Sequence, residues 1–154
     1  MSIVLGLNIN HADSSACIIR DGQLLFAIEE ERINRIKHWA GLPIESIKYC
    51  LRYSGISTNE ITDISINSNP LSNIVPKAFF FLKNYISGSK KYEIYKRIKN
   101  KLNLKETLKQ NFPKNAFSKN LKIHYIDHHL SHLASAFYPS QFKKAIGLSI
   151  DGFG

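Results

Sequence analysis

Residues 126–140 read IDHHLSHLASAFYPS, and three of the six histidines of this 154-residue chain, at positions 128, 129 and 132, fall inside it. On a helix, side chains four residues apart stand on one face, one above the other. His128 and His132 therefore present two imidazoles to one region of space, a spacing that suits two ligands of a divalent metal such as zinc or iron. The hydrolytic form of this spacing carries a glutamate beside the first histidine as general base. Position 129 is histidine, so that chemistry is absent. The same pair also reads as a helix face with satisfied hydrogen bonds, and spacing alone does not separate the two. Asp151 in SIDGFG places a carboxylate at the end of an apolar run, just before Gly152 and Gly154. Such turns let backbone and ligand approach closely and often serve phosphate or a metal–phosphate, but they also serve as plain strand exits.

Two further stretches carry polar groups where an apolar run ends. NINHADSSA (8–16) sets His11, Asp13, Ser14 and Ser15 in one turn. EEERINRIKH (29–38) follows three acids with Arg32, Arg35, Lys37 and His38. Acids favour a helix N-terminus, which accounts for the glutamates as a solvated helix start. The cations after them suit an anionic carboxylate or phosphate.

The elements that must position these groups follow from periodicity. IVLGLNI (3–9) is an apolar run of strand length. SSACIIRDG and QLLFAIEEE are two more strands, joined at Asp21–Gly22, the dipeptide of a tight type I′ hairpin. PIESIKYCLRYSG has Ile44, Ile47 and Leu51 at helical spacing, with Pro43 near its first turn and Gly55 after its last. Ser57 and Glu60 have capping-box spacing ahead of the strand ITDISIN. LKIHYID reads as a strand, HHLSHLASAFY as a helix, and KAIGLSIDGFG as a strand entering a glycine turn. With no following element to pack on that last strand, the chain reads as part of a larger α/β fold.

Charge is unevenly spread. Of 21 Lys and Arg, 13 lie between Lys77 and Lys122 against Glu93 and Glu106, a local excess of +11, while the rest of the chain sums to −2. Residues 71–119 read as an insertion of two or three basic amphipathic helices, with Tyr95, Ile98 and Leu102 at helical spacing. Twelve of the 13 cations are lysine and no RNA-binding motif is present, so solvated faces are expected rather than a nucleic-acid surface. Cys17 and Cys50 are too few for a disulfide framework and read as reduced core thiols of a cytoplasmic protein. The N-terminus has no signal-peptide pattern, and no apolar run reaches the roughly 18 residues of a membrane helix.

Taken together and in order, H-x-D-S-S-A, EEER-x-x-R-x-KH, HH-x-x-H-x-x-S-A-F and DGxG resemble the O-carbamoyltransferases of the nodulation-protein and cephamycin type. The resemblance covers about residues 3–52 and 123–154; the basic middle carries none of it. It implies an incomplete actin-like ATPase (ribonuclease H-like) fold with a basic helical insertion. It also implies two catalytic units. One makes carbamoyl adenylate from carbamoyl phosphate and ATP; the other transfers the carbamoyl group to a hydroxyl of a small natural product. This chain corresponds to the N-terminal part of the transfer unit, so the second lobe and the adenylate-forming domain would be missing and activity of this chain alone is not expected. The resemblance further implies a metal, iron above all, on His128, His132 and Asp151. His11 becomes the candidate for acid–base or phosphate contact, as the first hairpin handles phosphate in actin-like and sugar-kinase-like folds. Asp13, Ser14, Arg32, Arg35, Lys37 and His38 become substrate-binding candidates. Two rival expectations are a non-catalytic remnant of that fold and a relative of the tRNA threonylcarbamoylation proteins.

Overall fold

The computed structural model describes residues 1–9, 12–69 and 104–150. Strands β1 (Ile3–Asn8), β2 (Ser15–Arg20) and β3 (Gln23–Glu29) come first, followed by the single turn of helix α1 (Glu31–Asn34) and by α2 (Ile44–Ser54). A 3-10 turn (Thr58–Glu60) leads into β4 (Asp63–Ile66), and α3 (Leu104–Asn111), β5 (Lys122–Tyr125) and α4 (His128–Phe137) complete the order. The strands form one sheet in the order β3-β2-β1-β4-β5. The β1–β2 and β2–β3 pairs are antiparallel, while β1–β4 and β4–β5 are parallel.

Local chemistry accounts for most of this. Asp21 and Gly22 both take positive φ (48° and 85°), as the two central residues of a type I′ turn require. Helix α2 ends at Gly55, whose left-handed φ of 67° costs glycine nothing. Glu60 Oε2 accepts from the Ser57 backbone N–H at 2.8 Å, so the expected capping pair forms, but on a 3-10 turn.

Alternation sorts the sheet into two faces. Ile3, Leu5 and Leu7 of β1, Ala16 and Ile18 of β2, and Ile64 and Ile66 of β4 are buried on one face. Ile47 and Cys50 of α2 and Leu104 and Leu108 of α3 belong to the same core cluster. The basic segment is thus not solvated throughout: α3 contributes two buried leucines, and its lysines ride on the outside. The helical spacing of Tyr95, Ile98 and Leu102 lies outside the described residues.

The expected strand at KAIGLSI does not form: residues 145–150 have no strand hydrogen bonding among the described residues. A strand needs a neighbour to take its N–H and C=O groups, and these residues lie instead against α4. Gly147 packs on Leu133, so closely that a Cβ there would stand 2.7 Å from a Leu133 methyl. Ser149 Oγ is 3.0 Å from His129 Nδ1. Ile146, Leu148 and Ile150 point outward and are exposed.

Candidate functional site

The parallel strands β1, β4 and β5 all run toward the same edge of the sheet. Register pairs Glu29 with Ser15 and Ser15 with Asn8. One step beyond the last rung of the parallel half, Asn67 donates its N–H to Leu7 O and Ile126 to Ile66 O. Polar residues therefore collect where β1 and β4 end, and β5 delivers the chain to α4 at the same edge.

Helix α4 starts here because Asp127, in extended conformation, accepts from the His129 N–H at 3.1 Å and caps the first turn. The helix leans over the sheet face opposite the core, and between them lies an open cavity of about 840 Å³. Gly6, Asn8, Cys17, Glu29 and Arg32 line its sheet side, and His128 and His132 its helix side. Gly6 has to be glycine, since a Cβ at position 6 would meet Cys17 Sγ at 2.5 Å. Cys17 thus faces this cavity rather than the core, which corrects the sequence expectation for one of the two thiols. Partial burial still raises its pKa; Cys50, on the core face, is pushed up to about 12, chiefly by desolvation. Neither is poised as a nucleophile.

His128 Nε2 and His132 Nε2 lie 3.2 Å apart, their rings nearly perpendicular. Two imidazole nitrogens on one metal at about 2.0–2.1 Å stand about 2.9 Å apart at a right angle and about 3.4 Å at the tetrahedral angle. The observed separation falls between these, so the pair fits a metal. A shared N–H···N bond would also bring the rings together. His129 turns away to Ser149 and is not part of the pair. Among the described residues no group of three or more His, Cys, Asp or Glu is arranged to hold a metal. Asp151 and His11 lie outside the described residues.

The three glutamates of EEER have separate tasks. Glu29 on the cavity side meets Arg32 Nε at 3.3 Å. Glu30 is buried and accepts from the N–H groups of Glu45 (3.2 Å) and Ser46 (2.7 Å), so a carboxylate from the end of β3 caps α2. Glu31 Oε2 accepts from the His38 N–H at 3.2 Å. Glu30 was not legible as a cap, because the residue it serves is 15 positions away.

The loop after α1 is tied back to the β1–β2 turn. His38 Nδ1 is 2.9 Å from Asp13 Oδ1, and both residues hold positive φ (55° and 62°). Ser14 is buried; its N–H donates to Trp39 O at 3.0 Å and its hydroxyl to Gly41 O at 2.8 Å. Its side chain therefore secures the loop. Arg35 and Lys37 are exposed on that loop. The structure brings together Asp13 with His38, and Arg32 with His128 and His132 around one cavity. Asn8, which sequence reading passed over, bonds to the carbonyl of Asp13 and lines the cavity of the second grouping.

No helix among the described residues is long and apolar enough to cross a membrane. Residues 3–154 match the family described as Carbamoyltransferase N-terminus. An uncharacterized protein of Synechocystis sp. is 34% identical over 164 residues, covering 100% of this chain and 26% of that protein. Nodulation protein NolNO of Sinorhizobium fredii is 36% identical over 143 residues, covering 92% of this chain and 20% of NolNO. An uncharacterized protein of Methanocaldococcus jannaschii is 33% identical over 152 residues, covering 99% of this chain and 22% of its own. The chain thus spans about a quarter of the length of these relatives or less, and it belongs to the carbamoyltransferases, whose N-terminal region it matches from Ile3 to Gly154.

Proposed function

We propose that this chain is the N-terminal part of the transfer unit of an O-carbamoyltransferase. The observation that carries the reading is the convergence of His128 and His132 on one point of the cavity wall, in a chain that matches the family throughout. The strand order β3-β2-β1-β4-β5, antiparallel on one side of β1 and parallel on the other, supports the actin-like, ribonuclease H-like assignment.

In this reading the acceptor is a hydroxyl of a small molecule and the donor a carbamoyl adenylate, formed elsewhere from carbamoyl phosphate and ATP. The hydroxyl oxygen bonds to the carbamoyl carbon, the carbon–oxygen bond to the phosphate breaks, AMP leaves, and a base takes the hydroxyl proton. His128 and His132, with Asp151, would hold a divalent metal, iron above all, which supplies Lewis-acid polarisation when bound. His11 is the acid–base candidate from the chain itself. His38 is a second: with Nδ1–H held by Asp13, its Nε2 lone pair is left to accept a proton. Arg32, Arg35 and Lys37 supply positive charge for the phosphate of the donor.

The test uses the complete polypeptide that carries this region. Elemental analysis should find about one transition metal per chain, lost in His128→Ala and in His132→Ala and retained in His129→Ala. Radiolabelled carbamoyl phosphate with ATP and hydroxylated acceptors should give labelled product with the complete protein and none with residues 1–154 alone. Loss of the metal in His129→Ala, or turnover by residues 1–154, would overturn the proposal.

A further inference from the structure

Asn8 ends β1 beneath the turn that carries Asp13. Its side-chain Nδ2 donates to two successive carbonyl oxygens, Ala12 O at 3.3 Å and Asp13 O at 2.9 Å. Its Oδ1 accepts from Asn67 Nδ2 at 3.0 Å, across the parallel pair β1–β4. The geometry points to Asn8 as a positioning residue, which sets the β1–β2 turn so that Asp13 meets His38, the two turn carbonyls fixing which way its amide faces.

The argument is one of donor and acceptor count. An amide nitrogen has two hydrogens, and here both are taken by carbonyls of the same turn. Turning the amide over would set Oδ1 against two carbonyl oxygens, which can only accept, so the turn admits one orientation of Asn8 and the Asn67 amide follows it. Asp13 has left-handed φ, a conformation aspartate tolerates better than most side chains and one that the Asn8 bond to its carbonyl helps to hold. Asn8 engages the carbonyl of that same residue, whose carboxylate is 2.9 Å from the His38 ring. Asn8 also lines the cavity bounded by His128 and His132, so the turn it holds lies beside that cavity.

The consequence for catalysis rests on the carbamoyl-transfer reading; the contact itself does not, and a direct readout separates the two. In the complete polypeptide, nitrogen NMR of the His38 ring should show a hydrogen-bonded Nδ1. Asn8→Asp keeps shape and volume but removes both donors, and should abolish that signature. Asn8→Ser, with one hydroxyl donor, should keep part of it, and Asn8→Ala less. If Asn8 served packing alone, the isosteric aspartate would be the mildest of the three. Should Asn8→Asp fail to fold, the order Asn, Ser, Ala still decides, and equal signatures in all three overturn the proposal. A full signature in a folded Asn8→Asp does the same. If the transfer reading holds, Asn8→Asp also lowers kcat/KM by about tenfold or more while metal content stays unchanged. An altered NMR signature with unaltered turnover would uphold the positioning of Asp13 and remove the pair from the reaction.

Discussion

Helices α2 and α4 are close in length, 11 and 10 residues, yet they relate to the sheet in opposite ways. Helix α2 sinks Ser46, Ile47 and Cys50 into the core and is capped by a buried glutamate from another element. Helix α4 buries no residue, takes its cap from the adjacent Asp127, and stands over a cavity. One helix holds the sheet together; the other carries the histidines. Separating the two tasks leaves the histidine-bearing helix free of the packing constraints that fix the structural one.

The comparison can be broken most directly in the core. Ile47→Ala removes buried methyl groups from α2 and should cost about 2–5 kcal/mol in urea unfolding, whereas Leu130→Ala, on the exposed side of α4, should change stability by less than about 0.5 kcal/mol. Equal losses would mean that α4 is as firmly seated as α2.

The caps give a smaller contrast. Glu30→Ala leaves the N–H groups of Glu45 and Ser46 without their acceptor inside the structure and should cost about 1–3 kcal/mol. Asp127→Ala exposes the His129 N–H to water and should cost about 1 kcal/mol. Thermal midpoints in the reverse order would contradict the division of labour.

The smallest effect lies at the opposite end of the sheet from the histidine pair. A hydrogen bond from Thr62, and then one from His124, holds the Asp63 carboxyl below its ordinary value. The folded state therefore binds this proton less tightly than the unfolded chain does. The stabilisation is complete above the ordinary carboxylate range and is lost as pH falls through the depressed value. In Asp63→Asn the fall of the thermal midpoint on acidification should be shallower than in the parent chain. An unchanged slope would show that Asp63 is not linked to folding.

Legibility in the sequence followed distance along the chain. Strands 3–9 and 121–127, the Asp21–Gly22 hairpin and the span of α2 were read from neighbours a few positions apart, since alternation, turn residues and caps are local signals. The facing of His128 and His132 was equally local, because a helix fixes what lies four residues away. The meeting of Asp13 with His38 spans 25 positions and the Glu30–Ser46 bond 16, and no pattern within either stretch announces them. Asn8 and Asn67 each stand at the end of an apolar run, which was the available signal for their pairing; it lacked only the knowledge that β1 and β4 are neighbours. KAIGLSI misled for the converse reason. Its composition is that of a strand, but strand structure belongs to a pair of segments, and among the described residues this one has no second member.

The two halves of the sheet also differ in when they can form. The β2–β3 hairpin closes across two residues, and β1 lies next to it in sequence. The parallel half is built from two equal leaps of 59 positions, Val4 to Asp63 and Asp63 to Lys122. Loop closure must precede any gain from such contacts, so their formation is intrinsically slow. During synthesis the turn bearing Asp13 and Ser14 is available early. Strand β5, and with it the helix of the paired histidines, joins the sheet through the second leap alone. The cavity wall that gathers the imidazoles thus rests on long-range pairing, whereas the strands that flank the Asp13 turn are neighbours along the chain.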